Sequence, residues 1–312
     1  MLSTTFRFVL WPLVGLSALI LTSCIVMQAA PTSLCPAGMV LIPGGTNAGT
    51  NVLAVGEYYH VWYPETYSLK VDSFYMDATP VTKAQWDEVY TWAITNGYTF
   101  DNDGFGKATN HPVCNVNWYD VVKWCNARSE NENRPAVYRV CGVVYRTGQS
   151  TNVVQAVVAG YRLPTDTEWE YAARGGLRSA RFPWGNEISH SLANYYSSSD
   201  ICYDTSLTRG HHPRHKYIRT PFTSPVGAFM ANGYGLYDMA GHVLEYCFDW
   251  HPQYVGFHRV LRGGSWDGGA ASCRVGFRSP MIPEGGEVIG FRTVLSTGGI
   301  ERTLGGTGVD VY

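Results

Sequence analysis

Apolar and polar side chains alternate from Tyr67 to Met76, the two-residue period of a strand with one buried face. Upstream, the apolar run Met39-Val40-Leu41-Ile42 is closed by Pro43-Gly44-Gly45 and predicts a short strand ended by a turn. The pattern then lengthens. Trp86, Val89 and Trp92 fall on one helical face, and Thr82 is placed to cap that helix. A second helix is predicted from Asn117 through Trp118, Val121, Val122, Trp124 and Cys125 to Arg128. Two β-branched runs, Ala136 to Val144 and Asn152 to Ala159, predict a hairpin joined through Thr147-Gly148-Gln149-Ser150. Next, Pro164 sets a turn, Thr165 and Glu168 form a capping box, and Gly175 ends the helix between them. Residues 177 to 231 carry no regular period, as long connecting loops would not. Short strands, few helices and long loops predict an α+β fold, with one domain over residues 36–298 and a tail over 299–312.

Composition narrows the function classes. The chain is 45% hydrophobic and only 15% charged, enough apolar material for a large core. Its net charge of -2 offers no electrostatic drive toward nucleic acid, and none is expected as a partner. At the N-terminus Arg7 precedes an apolar run from Phe8 to Leu21, and Leu21-Thr22-Ser23-Cys24 matches a bacterial lipobox. This reads as a lipoprotein signal over 1–23, lipidation at Cys24, and an anchor linker over 24–35. The membrane would then be a partner through the N-terminal lipid, and Ile25 after the cysteine favours the outer membrane or cell surface. A secretory signal cleaved near Ala29-Ala30 and an uncleaved membrane helix are the alternatives. Seven cysteines remain once Cys24 is set aside, an odd number, and no CxxC spacing suggests structural zinc. Cys125 and Cys247, beside aromatic residues, read as buried small hydrophobes.

Three further motifs identify a relationship. These are the Asn232 to Tyr246 stretch with Tyr237-Asp238-Met239-Ala240-Gly241-His242-Val243-Leu244-Glu245, then Arg262-Gly263-Gly264-Ser265-Trp266, and the closing Gly290-Phe291-Arg292. Together with Tyr161 to Gly176 they resemble the sulfatase-modifying-factor family, whose founders are formylglycine-generating enzymes. The resemblance implies the C-type lectin-like fold of that type. It also implies a structural Ca²⁺ held by Asp238, Gly241, Val243 and Glu245, two through side chains and two through backbone carbonyls. Without an ion, Asp238 would cap a turn and Glu245 would pair with an arginine. Asn194-Tyr195 matches the first half of a second calcium site of the family.

The enzymes bind copper through two cysteines after Gly-Gly-Ser, since soft thiolates select Cu(I). Here that stretch reads Asp267-Gly268-Gly269-Ala270-Ala271-Ser272-Cys273, with one cysteine, so no copper and no catalytic residue is expected. The loop Arg209 to Lys216 carries three histidines but also Pro213 and several cations. It reads as a solvated basic loop, with a transition-metal site as the alternative. Ser265 is one residue short of a nucleophile-elbow spacing and is assigned to a turn.

Residues 266–289 have no strand or helix period, and loops on a rigid scaffold are where binding specificity resides. The segment resembles that of the variable proteins of diversity-generating retroelements, in which template adenines of asparagine codons are mutated. Asp267, Gly268, Gly269, Ser272, Phe277, Ser279, Ile282, Gly285, Gly286 and Val288 are residues such mutation can yield, whereas Met281, Glu284 and Glu287 are not. The expected ligand-binding set is therefore Trp266, Asp267, Gly268, Gly269, Ser272, Phe277, Ser279, Met281, Ile282, Glu284, Glu287 and Val288, facing a protein or glycan. An apolar centre with an acidic rim is the expected chemistry. The sequence thus points to a lipid-anchored, non-catalytic surface binding protein. An extracytoplasmic oxidoreductase of the same family and a structural lipoprotein of a secretion or motility complex are the alternatives.

Overall fold

The computed structural model describes residues 35–50, 66–216 and 220–297. Cys24, the signal over 1–23, the linker up to Leu34 and the tail over 299–312 lie outside the described residues. In chain order the elements begin with β1 (Met39–Ile42), β2 (Gly45–Thr50), β3 (Thr66–Val71), β4 (Phe74–Asp77), α1 (Lys83–Thr95) and α2 (Trp118–Asn131). They continue with β5 (Tyr138–Val140), β6 (Val143–Val144), β7 (Val154–Gln155), β8 (Tyr161–Arg162) and α3 (Asp166–Ala173). After a long irregular stretch come β9 (Leu244–Trp250), β10 (Arg259–Arg262), a 3₁₀ turn (Ala270–Cys273), β11 (Ser279–Met281), β12 (Ile289–Gly290) and β13 (Val294–Ser296). No helix among the described residues is long and apolar enough to cross a membrane.

The expected single strand over 67–76 is two strands, β3 and β4, with the break at Asp72-Ser73. Each pairs elsewhere: β3 with β2, and β4 between β1 and β13 in a sheet of order β1-β4-β13-β8. The C-terminal strand thus lies between β4 and β8 and closes the domain on its own beginning. The predicted hairpin through Thr147–Ser150 is also corrected. β5 turns tightly into β6 at Cys141-Gly142, and β7 pairs along the other edge of β5. Gly142 sits at φ +80° and Cys141 at +49°, the left-handed geometry a two-residue turn requires.

Both long helices start where side chains can satisfy their first backbone donors. Thr82 and Gln85 form a reciprocal capping box at α1, Asn117 caps α2 through the Asp120 N–H, and Thr165 with Glu168 repeats the box at α3. The helices meet in an aromatic core, where Trp86 and Trp124 stack at 6.0 Å and Phe291 sets its edge on both. Removing a side chain such as Trp86 from this core would cost about 3–5 kcal/mol.

The second sheet, of order β11-β10-β9-β12, carries the segment of interest. β10 is an apolar-looking strand with an arginine at each end, and all four of its residues are buried. Arg262 donates to Asp166 and to Glu170, at 2.6 Å each. Arg278 donates to the same two carboxylates at 2.7 and 3.0 Å, and Arg174 and Tyr67 complete the shell of Glu170. Burial alone would raise the Glu170 carboxyl, but Arg262, Arg278 and Arg174 hold it below its ordinary range. Arg259 has a different solution. Its guanidinium lies 3.6 Å from the Trp118 ring and 3.4 Å from the Trp250 ring and donates to the Phe248 carbonyl, with burial lowering its pKa to about 9.

Candidate functional site

Segment 266–289 leaves the second sheet at the end of β10, rejoins it as β11 beside β10, and returns again as β12 beside β9. Its first turn is set by Gly263 and Gly264, at φ +89° and +74°. A Cβ on Gly264 would stand 2.8 Å from Cys273 Sγ, so only glycine lets the chain fold back on the 3₁₀ turn. Ser265 is buried and its carbonyl accepts from Gly268 N, which is turn chemistry and not nucleophile geometry. Cys273 is buried at 0% exposure, and burial pushes its thiol up to about 12. Cys114, Cys125 and Cys247 are likewise buried and free.

Not every residue of the expected binding set faces outward. Trp266 is buried: its ring packs against Phe222 at 5.1 Å and His211 at 5.6 Å, and it belongs to the support of the loop. Met281 is half-buried against the aromatic core, paired with Arg259 in the β10–β11 ladder. Trp266 is corrected from a contact residue to a packing residue, whereas Met281 divides its surface between the core and the outside. Gly268 gives its carbonyl to Tyr196 N and has no room for a side chain beside Ser272. Ser272 turns its hydroxyl back to the Gly269 carbonyl, and Ser279 stands half-buried in β11.

The remaining exposure falls in two arcs. Asp267 and Gly269 are exposed on the first, where Asp267 accepts from or pairs with His211 Nε2 at 2.9 Å and Tyr196 stands against the same imidazole. Ile282, Glu284 and Glu287 are exposed on the second, with Val288 half-buried beside Leu244. This arc crosses from β11 to β12 over the start of α2, held by Trp118 N donating to the Pro283 carbonyl. Between the arcs, Phe277 is half-buried and Arg278 is tied to Asp166 and Glu170.

One exposed feature escaped the sequence reading. The β9–β10 hairpin carries Tyr254, Val255 and Phe257, with Phe257 74% exposed. The pairing of Arg259 with Met281 brings the base of this hairpin alongside Ile282, itself 46% exposed. Tyr254, Val255 and Phe257 are thus exposed in the hairpin that runs into β10, and Ile282 is exposed just after the strand paired with β10. The signal was available as Tyr254-Val255-Gly256-Phe257, an apolar cluster around a turn glycine, which a loop should not carry without a partner.

At the expected calcium position the donors divide. Gly241 lies at φ +75°, and a Cβ there would meet the Asn194 carbonyl at 2.3 Å, so the glycine turn is obligatory. Asp238 is buried; Oδ2 accepts from Gly227 N at 2.7 Å, and Oδ1 is buried with no hydrogen-bond partner among the described residues. Asn194 Oδ1 is in the same condition. Glu245 instead accepts from Arg292 through both oxygens and from Trp169 Nε1. No group of three or more His, Cys, Asp and Glu among the described residues could hold a metal ion, so a cation here would depend on backbone carbonyls. The orphaned Asp238 oxygen fits such an ion; Glu245 could only share its charge with Arg292.

In the histidine loop the cations Arg209, Arg214 and Lys216 are exposed, as a solvated basic loop requires, but one histidine is not. His212 is buried, with Nε2 donating to the His190 carbonyl and Nδ1 accepting from Arg214 N. Its ring lies 4.4 Å from that of His215 and 5.0 Å from that of His190.

Comparison with known proteins places this geometry. The chain is 31% identical over 245 residues to the chaperone protein LppX of Paenibacillus barcinonensis, covering 73% of this chain and 82% of that protein. It is 30% identical over 297 residues to the formylglycine-generating enzyme of Streptomyces coelicolor, covering 82% and 88%. Among solved structures, CarF superposes with a TM-score of 0.66 at 25% identity over 84% of this chain and 99% of its own. The Treponema denticola variable protein 1 superposes with a TM-score of 0.62 at 26% identity over 83% and 94%. The fold is thus the C-type lectin-like α+β fold that the motifs implied. The model of the sulfatase-modifying factor enzyme 1-like domain matches residues 26–297, and the chain belongs to that family.

Proposed function

We propose that this protein is an extracytoplasmic ligand-binding member of its family, anchored through lipid on Cys24, that contacts its ligand through the two exposed arcs of 266–289. The observation that carries this reading is the state of Cys273. It is the one cysteine of the segment, packed against Gly264, and burial pushes its thiol up to about 12. A single buried thiol cannot make the two-coordinate Cu(I) site of the enzymes. A polypeptide is the favoured ligand, because Phe257, Val255, Tyr254 and Ile282 are exposed apolar side chains and Glu284 and Glu287 are exposed carboxylates of the second arc. A chaperone among the relatives supports the same direction. Calcium, on this reading, rigidifies the scaffold behind the arcs through Asp238, the Gly241 and Val243 carbonyls, and Glu245 shared with Arg292.

The test pairs a binding measurement with a catalytic one. The full chain should bind members of a peptide array, and Ile282→Asp combined with Phe257→Ser should abolish that binding while the melting temperature stays within a degree or two. A sulfatase cysteine peptide should remain unconverted with and without copper. Conversion of that peptide, or binding that survives the double substitution, would overturn the reading in favour of an enzyme or of a structural lipoprotein.

A further inference from the structure

The irregular stretch between α3 and β9 forms a half-open pocket of about 620 Å³, within the size range of small-molecule sites, whose lining residue His212 adjoins the His211 that meets Asp267. Its walls come from four separated pieces of chain, 189–191, 205–208, 212–215 and 228–229. No carboxylate lines it. The permanent charge in the wall is Arg214, which is exposed; its backbone N–H donates to His212 Nδ1, but its guanidinium makes no hydrogen bond or ion pair among the described residues. That freedom is unusual here, because the neighbouring Arg209 is committed to Asp204 and Ser197. A cation left unpaired at the mouth of a carboxylate-free cavity is suited to an oxyanion, which a guanidinium grips with two parallel bonds.

The other walls define the rest of the ligand. The Ser189 and Ser191 hydroxyls bond to each other, at 2.7 Å and at the surface, so both retain acceptor or donor capacity. His215 stacks on His212 and on the edge of Phe229, and its ring nitrogens make no hydrogen bond among the described residues. By contrast His190 is engaged through both ring nitrogens, with Thr208 and with the Tyr195 carbonyl. The pocket therefore presents one cationic fork, two available hydroxyls, one free imidazole and the Phe229 ring. A bare anion would leave most of that volume and the Phe229 ring unused.

We propose that this cavity is a separate binding site for a sugar-sized molecule bearing a phosphate or sulfate ester. The oxyanion lies on Arg214, the hydroxyl-rich body reaches Ser189, Ser191 and His215, and a ring face covers Phe229. The site does not depend on the role assigned to residues 266–289.

Calorimetric titration of the full chain with glucose 6-phosphate, glucose 6-sulfate, glucose and inorganic phosphate at pH 7.5 tests it. At least one ester should bind, glucose should not, and inorganic phosphate should bind about tenfold more weakly or worse than that ester. Whether the phosphate or the sulfate ester binds more tightly identifies the source of the oxyanion. Arg214→Ala should weaken the ester by about tenfold or more at unchanged melting temperature, and Arg214→Lys should restore part of it. Imidazole resonances of His215 and His212 should move during the titration while those of His251 and His258 stay fixed. Absence of binding by both esters at millimolar concentration, wild-type binding by Arg214→Ala, or inorganic phosphate binding as tightly as the esters would each overturn the proposal.

Discussion

Arg292 closes on Glu245 with two parallel bonds of 2.7 Å, joining the connection between β12 and β13 to β9. Both side chains are buried, so neither charge has water to fall back on. Arg292→Ala should destabilise the protein by about 3–5 kcal/mol in urea unfolding, because it strands the Glu245 carboxylate. Arg292→Lys should recover little of this, since an ammonium cannot donate in a fork. A loss under 1 kcal/mol would show that the carboxylate is neutralised by something other than Arg292.

Calcium is the candidate for that something. If an ion occupies the Asp238 site, chelation should lower the melting temperature, because binding to the native state alone adds RT ln(1 + [L]/Kd) to stability. Asp238→Ala should remove the response to chelator, whereas Asp267→Ala, out on the first arc, should keep it. Superimposable melting curves with and without prolonged chelation would take calcium out of the account.

Acid should weaken the fold before its carboxylates titrate. Burial lowers the pKa of His111, His190, His212, His215 and His251, with His111 and His215 brought to about 4. An unfolded histidine titrates near 6.5. Between those values the unfolded chain binds more protons than the native one, so this stability is complete above about 6.5 and drains away as the pH falls toward 4. Asp120 and Asp249, raised by burial, work in the opposite sense over the lower part of that window. His215→Gln should therefore flatten the slope of melting temperature against pH between 6.5 and 4.5; an unchanged slope would mean that His215 does not contribute.

Lipidation is tested at Cys24 itself. Cys24→Ala should leave unprocessed precursor or release the protein from membranes, and normal processing with full membrane retention would reject the anchor.

What could be read in advance follows from how local each cause is. Capping at Thr82, Asn117 and Thr165 depends on residues three apart, so the helix starts were visible in the chain. Strand pairing is not local. The split of β3 from β4 depends on two different partners, and the register of β11 on β10 decides that Met281 reaches the core while Ile282 turns out. At the candidate site, the lone cysteine was legible but the burial of Trp266 was not, since the ring is covered by Phe222 and His211 from forty or more residues away. Arginine twice in the short strand Arg259–Arg262 was the overlooked signal, because a buried strand carries guanidiniums only where carboxylates or aromatic faces await them.

The tether from Arg278 to Asp166 and Glu170 lies between the two exposed arcs. It divides the segment into two short spans, each clamped at both ends by buried structure. A substitution in one span is therefore mechanically insulated from the other, and neither can drag the strands that hold the domain together. Such an arrangement lets contact chemistry drift at high frequency on either side of a fixed post, with folding as a constraint only at the post itself.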